Sequence, residues 1–390
     1  MNGPGFNPLV SQLSPPAIPS VQAWGRSYDG AYGGLIDLSQ AAPGHPPHPD
    51  MLRWMAEAAA SPVVARYGLI EGDPDLRAAY ADYLAKAYQT RLGAKNVLLT
   101  SGCNQAFAIA ATVIAEAGDA VLLSRPCYFN HETTLSMMGV EPRFFSCRPE
   151  DGFVPRIDDI AAALDGRVKA LALVTPNNPT GADYPPSLLA DILALCREND
   201  IWLILDETYR DFAGDDGAPP HSLFGIDGWE NNLIQLYSFS KSFAIPGHRL
   251  GAIAAGAEVI RQATKVMDNL QICAPRIPQY AVCRGLDALA GWRAENRMEI
   301  AQRGRAMQSA FADLPGWDIR SIGAYFAFVS HPFAGAGSGE VAERLARDFG
   351  VVTIPGSYFG DGLDPFLRFA FANVDAGQIA EAVQRLRLAG

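Results

Sequence analysis

Short, wholly apolar runs alternate along the chain with longer stretches in which apolar residues recur every three or four positions. The recurrence is helical from Asp50 to Gln89, and from Val97 onward the alternation becomes regular. It predicts strands at Val97–Leu99, Ala120–Ser124, Pro142–Ser146, Ala170–Thr175, Trp202–Asp206, Leu233–Tyr237 and Gly251–Ala255, with helices at 103–116, 186–198 and 257–269. Runs such as ALALV and IWLIL carry no polar position, as strands covered on both faces require, and their alternation with helices implies a parallel sheet. Beyond Gly291 the rhythm changes to a charged helical stretch, 292–313, followed by strands at Phe326–Ser330 and Leu367–Phe371 and helices near 338–349 and 375–388. This last part reads as a smaller α+β domain.

Residues 1–47 are rich in Pro and Gly and short of apolar periodicity, so they read as an arm lying on another surface. A length of 390 residues suffices for two or three domains. The net charge of −11, with no basic block, argues against a nucleic-acid partner. The longest apolar stretches, such as Ala106–Ala115, fall short of the about 18 residues that cross a bilayer. No secretory leader is visible, and six scattered cysteines without a CxxC pair read as reduced, mostly buried thiols, so a cytoplasmic enzyme is expected.

In open α/β sheets ligands bind beyond the carboxyl ends of the strands, and those ends are chemically crowded here. IWLIL delivers Asp206, with Tyr209 three residues on. The next apolar run delivers Ser238, Ser240 and Lys241, with Arg249 eight residues after the lysine. Hydroxyls and a guanidinium around one lysine can hold a phosphate while leaving the amine to form a Schiff base. Thr100-Ser101-Gly102-Cys103-Asn104 forms a turn between strand and helix, where backbone N–H groups and the helix dipole attract anions; by itself the same turn is also explained as a simple cap at Ser101.

An amine, a carboxylate to face a pyridine nitrogen and a phosphate cradle are together what pyridoxal 5′-phosphate requires. Asn178 and Tyr209 can hydrogen-bond its phenolic oxygen, and Tyr128 can stack on the ring or else pack in the core.

These residues resemble the fold-type I, pyridoxal-phosphate-dependent aminotransferases of class I/II. The resemblance rests on Tyr67-Gly68, Ser101-Gly102, TPNNPTG at 175–181, Asp206-Glu207-Thr208-Tyr209, SFSKSF at 238–243 with Arg249, and Leu367-Arg368-Phe369, in family order over about 300 residues. It implies a large cofactor-binding α/β domain at 48–290 with a mostly parallel sheet flanked by helices, a small α+β domain at 291–390, and an arm at 1–47 packed on the small domain or a partner subunit. It also implies that Lys241 forms the Schiff base and then shuttles the proton, that Asp206 pairs with the pyridinium, and that Asn178 and Tyr209 contact the phenolic oxygen. Gly102, Cys103, Asn104, Ser238, Ser240 and Arg249 would surround the phosphate, with Tyr67 entering from a neighbouring subunit of a homodimer whose active sites are shared. Arg368 would clamp the substrate α-carboxylate, a role that planar carboxylate recognition independently favours for Arg over Lys.

The chain makes two departures from the family pattern. Ala41 stands where glycine is usual and adds a methyl beside the substrate. Where aspartate-using members often carry a distal cation, this chain has Asn104 and Asn269, unless Arg143, Arg148 or Arg276 substitutes. Amino acids with neutral or aromatic side chains are therefore the expected donors, a 2-oxo acid the acceptor, and the cycle ping-pong.

His131-Glu132 lacks the second histidine of a zinc-protease helix, and no metal is expected. Gly335–Gly339 reads as a loop, His248 as packing beside Arg249, and the charged run 293–305 as a solvated helix face. The same lysine and aspartate also serve lyases of the cysteine-conjugate β-lyase type. A cofactor-binding transcription regulator would need a basic DNA-binding module, which the residues before Tyr67 do not offer.

Overall fold

The computed structural model describes residues 4–214 and 218–390; the first three residues of the expected arm lie outside them. The arm carries helices Pro8–Ser11 and Ala17–Gly25 and then a two-residue strand, β1 (Ile36–Asp37). The seven apolar runs that follow form one sheet: β2 (Val97–Thr100), β3 (Ala120–Arg125), β4 (Glu141–Ser146), β5 (Val168–Val174), β6 (Trp202–Asp206), β7 (Leu233–Ser238) and β8 (Gly251–Ala255). Their order is β2-β8-β7-β6-β5-β3-β4. Leu203, Ile204 and Leu205 in β6 are wholly buried, and each such side chain contributes about 1.5–3 kcal/mol through burial.

The predicted parallel sheet holds with one correction: β8 runs antiparallel to both β2 and β7. A strand that enters from the opposite end begins where its neighbours finish. Arg249, two residues before β8, is thereby delivered to the carboxyl edge, and the backbone at Gly251 packs directly on Gly102.

The C-terminal part adds β9 (Asp318–Gly323), β10 (Phe326–Ser330), β11 (Val351–Val352), β12 (Ile354–Pro355) and β13 (Phe366–Ala370). An antiparallel sheet of order β12-β13-β10-β9 packs with helices Ala290–Ala312, Ser338–Phe349 and Ala376–Ala389 around a second apolar core. The arm joins it: β1 pairs in parallel with β11, Leu38 accepts from the Ala370 N–H, and Ser39–Ala41 are led to the boundary between the two sheets.

Sequence periodicity misses helices Phe129–Met138 and Arg276–Ala288 and strand β9. The first has almost no apolar face to read, since only His131 and Leu135 are buried. The charged run 293–305 is more than a solvated face. Arg303 is buried and donates to the Ala372 carbonyl at 2.5 Å, while Arg293 reaches the Leu286 carbonyl at 2.6 Å. Cys103, Cys127, Cys147 and Cys196 are buried free thiols, and Cys273 and Cys283 are half-buried.

Gly181, closing the TPNNPTG turn, has φ +76° and lies where any Cβ would overlap the backbone of Gly323 and Phe326. The turn after β5 is thus seated on the small sheet through backbone alone. Gly181→Ala should cost about 1–3 kcal/mol and lower the thermal unfolding midpoint; an unchanged midpoint would show that the two sheets do not depend on this contact.

Candidate active site

Five strand ends and the start of β8 converge on one cavity of about 250 Å³, lined by Cys103, Asn104, Tyr128, Asn178, Asp206, Thr208, Tyr209, Ser238, Ser240, Lys241 and Arg249 among others. It opens into a larger one of about 1140 Å³, with which it shares Tyr128, Asn178, Tyr209, Lys241 and Pro246, and which Ala41 and Arg368 also line.

At one end, Gly102 ends the turn after β2 with φ +88°, and a Cβ there would run into the Arg249 guanidinium. Being glycine, it offers no side chain to cap the helix Cys103–Ile114, whose start faces the cavity. Ser238 caps the next turn instead, accepting from the Ser240 N–H at 3.3 Å. The buried hydroxyls of Ser240 and Thr208 have no protein partner. Unpaired hydroxyls, a helix start and a guanidinium make this end a cradle for an anion.

At the floor lies Asp206, buried at the end of β6. One oxygen accepts from the Thr208 N–H at 3.0 Å; the other lies 3.4 Å from His131 Nε2. His131 stacks on Phe107 with ring centroids 3.9 Å apart, which fixes its orientation. The sequence reading considered His131 only as a metal ligand and passed over it as a site residue. The signal was its spacing from Tyr128, which puts both on one side of a helix start.

Tyr128 lines the cavity, its hydroxyl accepting from Asn130 Nδ2 at 2.8 Å, and burial raises its pKa to about 12. Burial also raises the Tyr209 pKa well above its ordinary value, so it stays protonated. Lys241 Nζ donates to the Ala41 carbonyl, so the position with the extra methyl touches the lysine through its backbone. Burial and then the cations Arg249 and Arg368 lower the Lys241 pKa to about 8.

Arg368, on β13, is 2% exposed. It donates to Asn178 Oδ1 at 2.9 Å and to the Ser39 carbonyl, and its Nε is unpaired.

Tyr67, expected to enter from a neighbouring subunit, is 79% exposed and lines neither cavity of its own chain. One expectation shifts. His248 is exposed on its turn rather than packed. Of the cations considered for a distal carboxylate, Arg143 pairs with Asp165 at 2.5 Å, Arg148 with Asp159 at 2.9 Å and Arg276 with Asp73 at 3.0 Å; none lines either cavity. Asn104 lies at the cavity and Asn269 is exposed, its amide donating to the Lys265 carbonyl of its own helix.

A mostly parallel sheet with a lysine, a carboxylate and an anion cradle at its carboxyl edge defines an enzyme site of the amine-condensing kind. The sequence profile described as aminotransferase class I and II matches residues 34–386, and the chain belongs to that family. It is 29% identical over 359 residues to an aromatic aminotransferase of Arabidopsis thaliana, covering 90% of this chain and 89% of that protein. It is 28% identical over 360 residues to an aspartate aminotransferase of Pyrococcus abyssi, covering 90% and 92%. A solved double mutant of the Thermus thermophilus aspartate aminotransferase superposes with a TM-score of 0.91 at 25% identity over 100% of both chains. The protein is an aminotransferase of a pyridoxal-phosphate-dependent family, and these relatives favour transamination over the lyase alternative.

A lysine of pKa about 8 is roughly a tenth neutral at pH 7, against fewer than about one in a thousand at the ordinary value. Reductive methylation of Lys241 by formaldehyde, followed by peptide mass spectrometry, should rise about tenfold per pH unit and level off near pH 8. Arg368→Gln removes a depressing cation and should move the break upward; a wild-type break above pH 10 would contradict the burial of this amine.

Proposed function

We propose that this chain binds pyridoxal 5′-phosphate through Lys241 and moves an amino group from an L-amino acid with a neutral or aromatic side chain to a 2-oxo acid, as a cytoplasmic homodimer. The supporting observation is that Lys241, Asp206 and Arg368 line two adjoining cavities. The residues fit the cofactor: the unpaired hydroxyls of Ser240 and Thr208, the uncapped helix start and Arg249 suit a phosphate, and the buried Asp206 suits a protonated ring nitrogen.

When bound, the cofactor supplies an aldehyde for the amine and a ring that draws electrons from the substrate Cα. Asp206 would hold the proton on the ring nitrogen, and His131, 3.4 Å away, holds Asp206. Tyr209 and the Nδ2 of Asn178 donate to the phenolic oxygen, while Oδ1 of Asn178 is kept by Arg368. Tyr128, lining the cavity, would supply an aromatic face for the ring. Arg368 receives the α-carboxylate and so orients the Cα–H toward Lys241 Nζ. Lys241, the only amine among the described residues that lines both cavities, would take the proton that leaves Cα and carry it back as general acid.

Relatives of comparable similarity are named for aromatic amino acids and for aspartate, so the preference for neutral or aromatic donors rests on this chain's own cavity. There Arg125, the cation beyond Lys241, Arg249 and Arg368, lies 3.5 Å from Asp361.

Absorption of the purified holoenzyme tests the reading. Phenylalanine should bleach the bound-cofactor band and a 2-oxo acid restore it, and Lys241→Ala should abolish the cycle. A band that persists while ammonia is released would instead establish elimination.

The dimer is supported by an apolar surface beside the anion cradle. Val63, Tyr67, Leu69, Leu270 and Ile272 are exposed, Arg276 donates to the Val63 and Arg66 carbonyls, and Gln271 reaches the cradle through Gln105 at 2.7 Å. Leu270→Glu should convert a dimer to a monomer in light scattering; a wild-type monomer would remove this part of the reading.

A further inference from the structure

The larger cavity has a charge pattern that the transamination cycle does not use. One wall, Gln12–Ser20, carries no ionisable side chain. The charged residues that line the cavity are Arg125, Glu132, Lys241, Asp361 and Arg368. Lys241 and Arg368 belong to the chemistry. Arg125 is engaged twice, 3.6 Å over the Phe144 ring and 3.5 Å from Asp361.

That leaves Glu132. It lies four residues after Tyr128, so both fall on one face of the helix Phe129–Met138, with Ser136 four further on, and all three line the cavity. Its side-chain partner is the Cys127 thiol at 3.8 Å, and burial raises that thiol's pKa so that it brings no charge. No cation stands within ion-pair distance of Glu132 among the described residues. An acid in the first turn of a helix is favoured by the helix dipole wherever it points. The dipole does not require it to face a substrate cavity.

We propose that Glu132 is a specificity-determining residue that receives the ammonium or guanidinium at the far end of a basic amino acid whose α-carboxylate sits on Arg368. The inference rests on reading this cavity as the amino-acid side of the site, and it extends the donor class from neutral and aromatic side chains to cationic ones. A carboxylate facing the cavity repels a distal carboxylate and pairs with a distal cation, so one residue accounts for both halves of the selection.

Lysine and norleucine differ at the far end by an ammonium in place of a hydrogen, and 6-aminohexanoate and hexanoate repeat that difference without an α-amine. The holoenzyme should show kcat/KM for lysine or ornithine at least about tenfold above norleucine, and E132Q should lower that ratio by about tenfold or more. Calorimetry should show 6-aminohexanoate binding more tightly than hexanoate, with the difference lost in E132Q. A lysine to norleucine ratio of one or less with phenylalanine still transaminated, or a ratio unmoved by E132Q, would overturn this inference alone. If no amino acid bleaches the cofactor band, the proposed function fails first, and the two carboxylates still report independently whether Glu132 binds a cation.

Discussion

Arg368 is a guanidinium almost wholly removed from water without a carboxylate beside it. Burying a cation unpaired is costly, and the protein meets the cost only in part, with the Asn178 amide and the Ser39 carbonyl. Burial lowers its pKa to about 10, so it remains charged at neutral pH. The three groups come from the small sheet, the turn after β5 and the arm, so the residue that most wants an anion also holds together three separate parts of the chain. The arm has no core of its own because its structure is completed there, in pairing with β11 and in delivery of Ser39 and Ala41.

Much of this was legible in the sequence because β5, β6 and β7 are apolar throughout and their last residues are not. A continuous apolar run ending in Asp206 or Ser238 marks both a buried strand and its reactive edge. The reversal of β8 was not legible, because GAIAA is as apolar as its neighbours and direction leaves no trace in composition. His131 was missed for a related reason. Its partner, Asp206, is 75 positions away in sequence, and only the packing of helix Phe129–Met138 on the sheet joins them.

The segment after β6 has two sides with different duties. Asp206 and Tyr209 face the cavity. Glu207, Arg210 and Asp211 face the interior, where Glu207 accepts from Tyr88 at 2.5 Å and from Gln235 at 2.6 Å, and Arg210 lies 4.1 Å over the Tyr237 ring. Tyr237 in turn bonds Asp211 and, at 2.8 Å, Ser242, the neighbour of Lys241. The lysine turn and the aspartate turn are thus braced by one buried polar network. Such a network is favourable only when its members are satisfied, and that requirement resists displacement of either turn.

The electrostatics follow from the same geometry. Arg249 and Arg368 both depress Lys241, yet each stands where an anion would be received, the first at the cradle and the second at the boundary of the sheets. An anion at either place offsets the cation there and lets the lysine pKa rise. By linkage, proton affinity at Lys241 and anion affinity at the two arginines must strengthen each other. The amine is therefore at its most nucleophilic when the site is vacant and better able to keep a proton once anions fill it, which suits the two duties proposed for it, attack and proton transfer.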